Sequence, residues 1–173
     1  MRPDALPPGS TIGILGGGQL GRMTALAAAN LGYRCLILAP QGDNPAFQVA
    51  EGIEAEYTDE TALAKLAARA DVVTLEFENL PVAALDFLAQ RVPVRPGRKV
   101  LETGQHRIRE KSFFDGIGAP TAPWVAVRSR ADLVAGVAKL GYPCVLKTAT
   151  LGYDGKGQLK LLGPDDLAAA DAI

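Results

Sequence analysis

Short apolar runs alternate with segments whose apolar positions recur every three or four residues, which predicts strands and helices in turn. Residues 11–15, TIGIL, read as a buried strand. From Gln19 onward, Leu20, Met23, Ala27 and Leu31 share one side of a helix that Gly32 ends. Residues 34–38 predict a second strand closed by Pro40, residues 54–57 a short third, residues 72–75 a fourth and residues 92–94 a last short one. Helices are expected over 61–70, with Asp59 as cap, and over 82–90 behind Pro81. This order specifies an α/β fold in which helices cover a parallel sheet.

Near residue 95 the texture changes. The stretch RPGRKVLETGQHRIREK carries six Lys or Arg against two Glu and is punctuated by Gly and Pro, as a connector between domains would be. Residues 1–97 are therefore expected to form one domain and residues 98–173 the linker and first part of a second. Beyond the connector, residues 110–117 predict a helix and residues 124–127 a strand. Ser129 and Asp132 form a capping-box-like start for a helix with Leu133, Val134, Val137 and Leu140 on one side. A strand over 144–148, a glycine-rich loop over 150–157 and a strand over 158–162 follow, and Pro164 opens a last helix. That second domain lacks partners for its sheet edge and helix, so the chain reads as the front of a longer protein.

The 173 residues are 48% hydrophobic and 21% charged, with mean hydropathy +0.11, which excludes disorder and fibrous classes. A formal charge of −1 gives no reason to expect wholesale binding to nucleic acid or an anionic membrane. No apolar run approaches the ~20 residues of a membrane helix. MRPDALPPGS lacks the apolar stretch of a signal peptide, so a cytoplasmic protein is expected. Cys35 and Cys144 read as free thiols buried in strands.

Three segments carry candidate chemistry. In GGGQLGRM, Gly16, Gly18 and Gly21 satisfy G-x-G-x-x-G, which lets the backbone approach an anion at a helix start. A dinucleotide would need an acidic residue at the end of the second strand to hold its ribose, and Leu38-Ala39-Pro40-Gln41 stands there instead. A phosphate monoester at Gln19 and Leu20 is favoured over a dinucleotide-dependent oxidoreductase, and over a turn that merely packs strand on helix. In TLEFEN, Glu76 and Glu78 end the fourth strand at the sheet edge where ligands of open α/β sheets sit. Two solvated glutamates are an equally open reading of that pair.

The third segment, PCVLKTATLGYDGKGQ, puts Lys147 at the end of a buried strand and Gly152, Gly155, Lys156 and Gly157 in the loop behind it. A fixed cation followed by a glycine-rich loop suits a nucleoside triphosphate. The spacing is not that of a Walker A loop, and a plain hairpin would not need the eight residues of 150–157. His106, the sole histidine, reads as an exposed polar residue. No residue pattern suggests a zinc site or a Ser-His-Asp triad. A non-catalytic nucleotide-binding module remains a third reading.

Taken together, GGGQLGRM, TLEFEN, HRIREKSFF with APTAPW behind it, and LKTATLGYDGKGQ resemble the ATP-grasp superfamily along essentially the whole chain and in order. Within it they are similar to the 5-(carboxyamino)imidazole ribonucleotide synthase family. Formate-dependent sister enzymes typically have Glu where Gln19 stands and a serine-rich loop where Tyr153 and Asp154 stand.

The resemblance implies a Rossmann-like (pre-ATP-grasp) parallel-sheet domain followed by the start of an ATP-grasp domain. It implies ATP-dependent carboxylation of 5-aminoimidazole ribonucleotide with bicarbonate, through carboxyphosphate, in purine biosynthesis. Arg107, Lys147 and the loop residues Gly152, Tyr153, Asp154, Gly155, Lys156, Gly157 and Gln158 would contact ATP. Gln19 and Leu20 would hold the 5′-phosphate, Glu76 the ribose, and Tyr153 and Asp154 would reach the aminoimidazole as catalytic residues. A homodimer is usual for such enzymes. Mg2+ ligands are expected beyond residue 173 and none within it, so these residues alone are not expected to turn over.

Overall fold

β1, Thr11–Leu15, is the hub of a four-stranded parallel sheet in which β3 (Glu51–Glu54), β2 (Arg34–Ala39), β1 and β4 (Val72–Leu75) lie side by side in that order. β2 flanks β1 in the register Thr11 to Arg34 and Leu15 to Leu38, and β4 flanks the other side with Leu15 opposite Leu75. Strand side chains alternate between faces, so the central strands feed two cores. Leu15, Leu36 and Leu38 pack with Leu63 and Leu66 of α2 (Glu60–Arg69) and Leu85 and Leu88 of α3 (Val82–Ala89). Ile14 and Ile37 face the other way, onto Ala46 of a 3₁₀ turn at Pro45–Gln48. Full burial of each of these leucines and isoleucines stabilises by about 1.5–3 kcal/mol.

The computed structural model describes residues 5–152 and 156–172. Contacts divide the chain into two compact units, Met1–Glu102 and Thr103–Ile173. In the first, Asp59 caps α2 as its position suggests: Oδ1 accepts from the N–H groups of Thr61 at 2.8 Å and Ala62 at 3.1 Å. Several other elements depart from expectation for identifiable reasons.

α1 (Gln19–Asn30) buries Gly21, Ala25 and Ala28, and leaves Leu20, Met23 and Leu31 more than half exposed. The expected apolar stripe therefore points outward. The helix lies so close to the sheet that a methyl on Gly21 would sit 2.7 Å from the Gly16 carbonyl, and only small residues fit beneath it. β3 is Glu51–Glu54, three residues earlier than expected, with Glu51 opposite Leu36. Gly52 permits this, because a side chain there would collide with the ring of Phe47. Residues 92–94 contribute only one bridge, Val73 to Val94, rather than a strand.

The basic connector is partly helical: α4 spans Arg98–Gly104 and buries Leu101. Arg98 pairs with both Asp86 and Glu102, so two of the connector's charges neutralise each other locally.

The second unit holds α5 (Arg107–Gly116), α6 (Arg130–Leu140), the antiparallel pair β5 (Cys144–Lys147) and β6 (Gln158–Leu161), and a 3₁₀ segment at Pro164–Ala172 where an α-helix was expected. Ser129 Oγ accepts from the Asp132 N–H at 3.1 Å while Asp132 Oδ2 accepts from the Arg128 N–H at 2.9 Å, the reciprocal cap anticipated for α6. α6 buries Leu133, Gly136 and Val137 and turns Val134 and Leu140 outward. Residues 124–127 join no sheet among the described residues; Trp124 Nε1 instead donates to Asp115 Oδ2 of α5 at 3.0 Å. Both cysteines are free and half-buried rather than enclosed, and burial raises the Cys35 thiol above its ordinary range, which leaves it mostly protonated at neutral pH.

Candidate functional site

The strand order reverses between β1 and β4, and open α/β sheets bind ligands outside the carboxyl ends of their strands at such a point. The glycine turn leaves β1 here and Glu76 leaves β4 beside it, tied by the Glu76 N–H donating to the Leu15 carbonyl at 2.9 Å. The Gly16 N–H reaches back to Leu38 at 2.9 Å, and Gly16 has φ +124°, a conformation only glycine adopts readily.

Gly18 is the N-cap of α1 and offers no side chain, and no acidic residue stands in the first turn. The Gly18 N–H donates to Glu76 Oε2 at 2.8 Å. Helix starts leave their first N–H groups without intrahelical partners; those of Gln19 and Leu20 belong to this set, on exposed residues. The structure thus brings Gln19, Leu20 and Glu76 to one corner of the first unit. Glu78 is exposed, one step beyond that corner.

Tyr57 is a member of this corner that the sequence reading passed over. Its ring stacks at an angle on Phe77, centroids 6.0 Å apart, next to Glu76 in the chain. Burial above all, and then the negative charges of Glu76 and Glu56, push its hydroxyl up to about 12 from an ordinary value near 10. A phenol held protonated in the folded state favours folding below its unfolded pKa, and that contribution is lost as pH rises through the folded value. Stability is therefore expected to fall between about pH 10 and about pH 12, and Tyr57→Phe to flatten that fall in chemical denaturation at each pH. Its only signal in the sequence was an aromatic two residues short of Asp59.

The second cluster lies within the second unit. The Arg107 N–H, at the start of α5, donates to the Ala149 carbonyl at 2.8 Å, which fixes the helix start against the chain leaving β5. The Thr148 N–H donates to the Gly157 carbonyl at 2.8 Å and closes the neck of the loop. Gly152 lies against both Arg107 and Thr148: a methyl there would be 3.6 Å from Arg107 Nη2 and 3.3 Å from Thr148 Oγ1. At Gly157, with φ +66°, a methyl would be 2.5 Å from the same hydroxyl. Thr148 Oγ1 and Arg107 Nε are buried and, among the described residues, have no hydrogen-bond partner. Buried polar groups left unmet in this way mark a place for a ligand or solvent.

Lys147 ends β5 directly opposite Gln158 on β6, and both are exposed on the outer face of the pair. Arg107 and Lys147 are among the residues that line a cavity of about 540 Å³, together with Trp124, Val137 and Val145. Lys156 is exposed at the loop's far end. Tyr153, Asp154 and Gly155 lie outside the described residues. His106 is half-buried as the N-cap of α5 rather than exposed, and its Nδ1 has no partner among the described residues. Thr148 was the other functional candidate missed, since a threonine between two motif residues carries no signal until the glycines close on it.

Among the described residues no three His, Cys, Asp or Glu side chains gather as a metal site, and no helix is long and apolar enough to cross a membrane.

Residues 10–105 match the ribonucleotide synthetase preATP-grasp domain, and residues 112–172 match the ATP-grasp domain. N5-carboxyaminoimidazole ribonucleotide synthase of Brucella melitensis is 51% identical over 100% of the chain and 48% of its own length. The ADP complex of purK, an N5-carboxyaminoimidazole ribonucleotide synthetase, superposes with TM-score 0.89 at 43% identity, covering 96% of this chain and 45% of the other. The Aspergillus clavatus N5-carboxyaminoimidazole synthase, in complex with ADP and 5-aminoimidazole ribonucleotide, gives TM-score 0.79 at 29% identity over 94% and 43%. The chain spans about half the length of these relatives.

Proposed function

The chain belongs to the family of ribonucleotide synthetase preATP-grasp domains, continued into an ATP-grasp domain, and on that premise we propose that it forms the first part of an ATP-dependent carboxylating ligase. Residues 1–97 hold 5-aminoimidazole ribonucleotide and residues 98–173 begin the ATP-binding lobe. The relatives named for N5-carboxyaminoimidazole ribonucleotide synthesis, with ADP and aminoimidazole ribonucleotide in their complexes, support this assignment.

The observation that carries most weight is the convergence of Arg107, Thr148, Gly152 and Gly157 on one neck beside Lys147. A guanidinium with an unpartnered Nε and an unpartnered hydroxyl provide donors, and Lys147 provides a point charge, for the phosphates of ATP. Gly152 and Gly157 bear no side chain, so the backbone can approach those oxygens. In the first unit, the N–H groups of Gln19 and Leu20 suit a 5′-phosphate. A carboxylate has about four acceptor positions, so Glu76 can bind Gly18 and still accept from a ribose hydroxyl.

With both substrates held, a bicarbonate oxygen attacks the γ-phosphorus and ADP leaves. The resulting carboxyphosphate releases phosphate as CO2 passes to the 5-amino group, which gives up a proton. Tyr153 and Asp154 are assigned to the aminoimidazole. Magnesium accompanies ATP on ligands beyond those described. The proposal carries a homodimer and a cytoplasmic location with it, both taken from the resemblance. In the protein that contains this chain, labelled bicarbonate is expected to enter the ribonucleotide with one ADP released per carboxylation. ADP release without incorporation, or hydride transfer from NADH, would reject the assignment.

A further inference from the structure

Three glycines and one carboxylate share the same few ångströms. A methyl on Gly16 or Gly18 would overlap the Glu76 carboxylate, and one on Gly21 would stand 3.2 Å from Oε2. The Gly18 N–H already donates to that oxygen at 2.8 Å. In a dinucleotide fold the middle glycine's amide and the space above it belong to the pyrophosphate. Here a group of the chain itself takes both, an anion at a helix start where the macrodipole favours negative charge. The spacing G-x-G-x-x-G fits this internal carboxylate, and so the motif by itself says nothing for a dinucleotide.

We infer that Glu76 is a specificity-determining residue: the resident anion of the glycine turn, closing it to diphosphates and leaving a phosphate monoester the N–H groups of Gln19 and Leu20. Only the address of the monoester rests on the proposed function; the closure stands on Gly16, Gly18, Gly21 and Glu76 alone. A diphosphate entering the turn would meet a like charge at contact distance and find the Gly18 amide occupied.

Amide resonances of Gly16, Gly18 and Gly21 in the isotopically labelled chain read this turn and no other site. Titration with inorganic pyrophosphate or NAD is expected to leave them unmoved in the native protein. In Glu76→Ala they are expected to shift saturably, with affinity at least about tenfold tighter than any native binding. Glu76→Gln keeps the shape, removes the charge and should fall between. Saturable shifts in the native chain, or none in either variant while both retain native dispersion, overturn the inference. Ribose 5-phosphate is expected to shift Gln19 and Leu20 in the native chain. Its failure to do so while pyrophosphate stays excluded would remove the ribonucleotide assignment and uphold the role of Glu76.

Discussion

Lys147→Ala will weaken ATP binding by about two orders of magnitude, with little change in stability. Lys147 is exposed at the end of β5 and does not join the cluster of Leu133, Val137 and Leu161 that forms the second unit's core, so its removal opens no cavity. Surface substitutions of that kind stay within about 0.5 kcal/mol. What is lost is a positive charge beside the neck formed by Thr148, Gly152 and Gly157. Lys147→Arg will recover only part of the affinity, because a planar fork does not replace a compact ammonium on a four-carbon stem. Calorimetric titration with ATP, set beside urea denaturation of each variant, separates the two effects. Unchanged affinity in Lys147→Ala would remove the triphosphate from this neck.

The central strands and the glycine turn were legible in the residues because strands and turns report themselves locally. TIGIL and the apolar run before Ala39 became the central strands, and the placement of Gly16 and Glu76 at two strand ends followed from the rule for parallel sheets. Asp59 and Ser129 were readable as caps because each bonds N–H groups two or three residues on. The outward turn of Leu20, Met23 and Leu31 was not readable. Periodicity finds the larger apolar stripe, whereas α1 packs through the small one, Gly21, Ala25 and Ala28. β3 was expected three residues too late because its place depends on Gly52 meeting Phe47, a contact between neighbours folded back on each other. α4 was hidden beneath its charges, which Arg98 satisfies with Asp86 and Glu102.

The site shows the same division. Arg107, Lys147 and the glycines belong to recognisable strings, but the unpartnered hydroxyl of Thr148 and the raised phenol of Tyr57 arise from distant chain brought near. The carboxylate of Glu76 was assigned by position to a ribose. That it also fills the glycine turn depends on a hydrogen bond spanning 58 residues, which no local pattern encodes.

That shared space makes the glycines distinguishable by substitution. Gly16→Ala meets two obstacles: φ +124° is unfavourable for any side chain, and the new methyl would lie 2.5 Å from Glu76 Cβ, an atom fixed to the backbone. Strain and overpacking of this kind cost about 1–3 kcal/mol each, a large share of a total stability of about 5–15 kcal/mol. Gly18→Ala meets only the carboxylate tip, since Gly18 has φ −77° and alanine adopts that freely. Gly18→Ala is therefore expected to destabilise by about 1–2 kcal/mol, chiefly by displacing Glu76. In the Glu76→Ala background most of that penalty should disappear, a coupling of about 1 kcal/mol in a double-mutant cycle. The Gly16→Ala penalty should persist there, because its backbone strain does not depend on the carboxylate. Urea denaturation of the six proteins supplies every leg of the two cycles. Equal persistence of both penalties would show that the glycines serve the backbone alone and that Glu76 is a bystander to the turn.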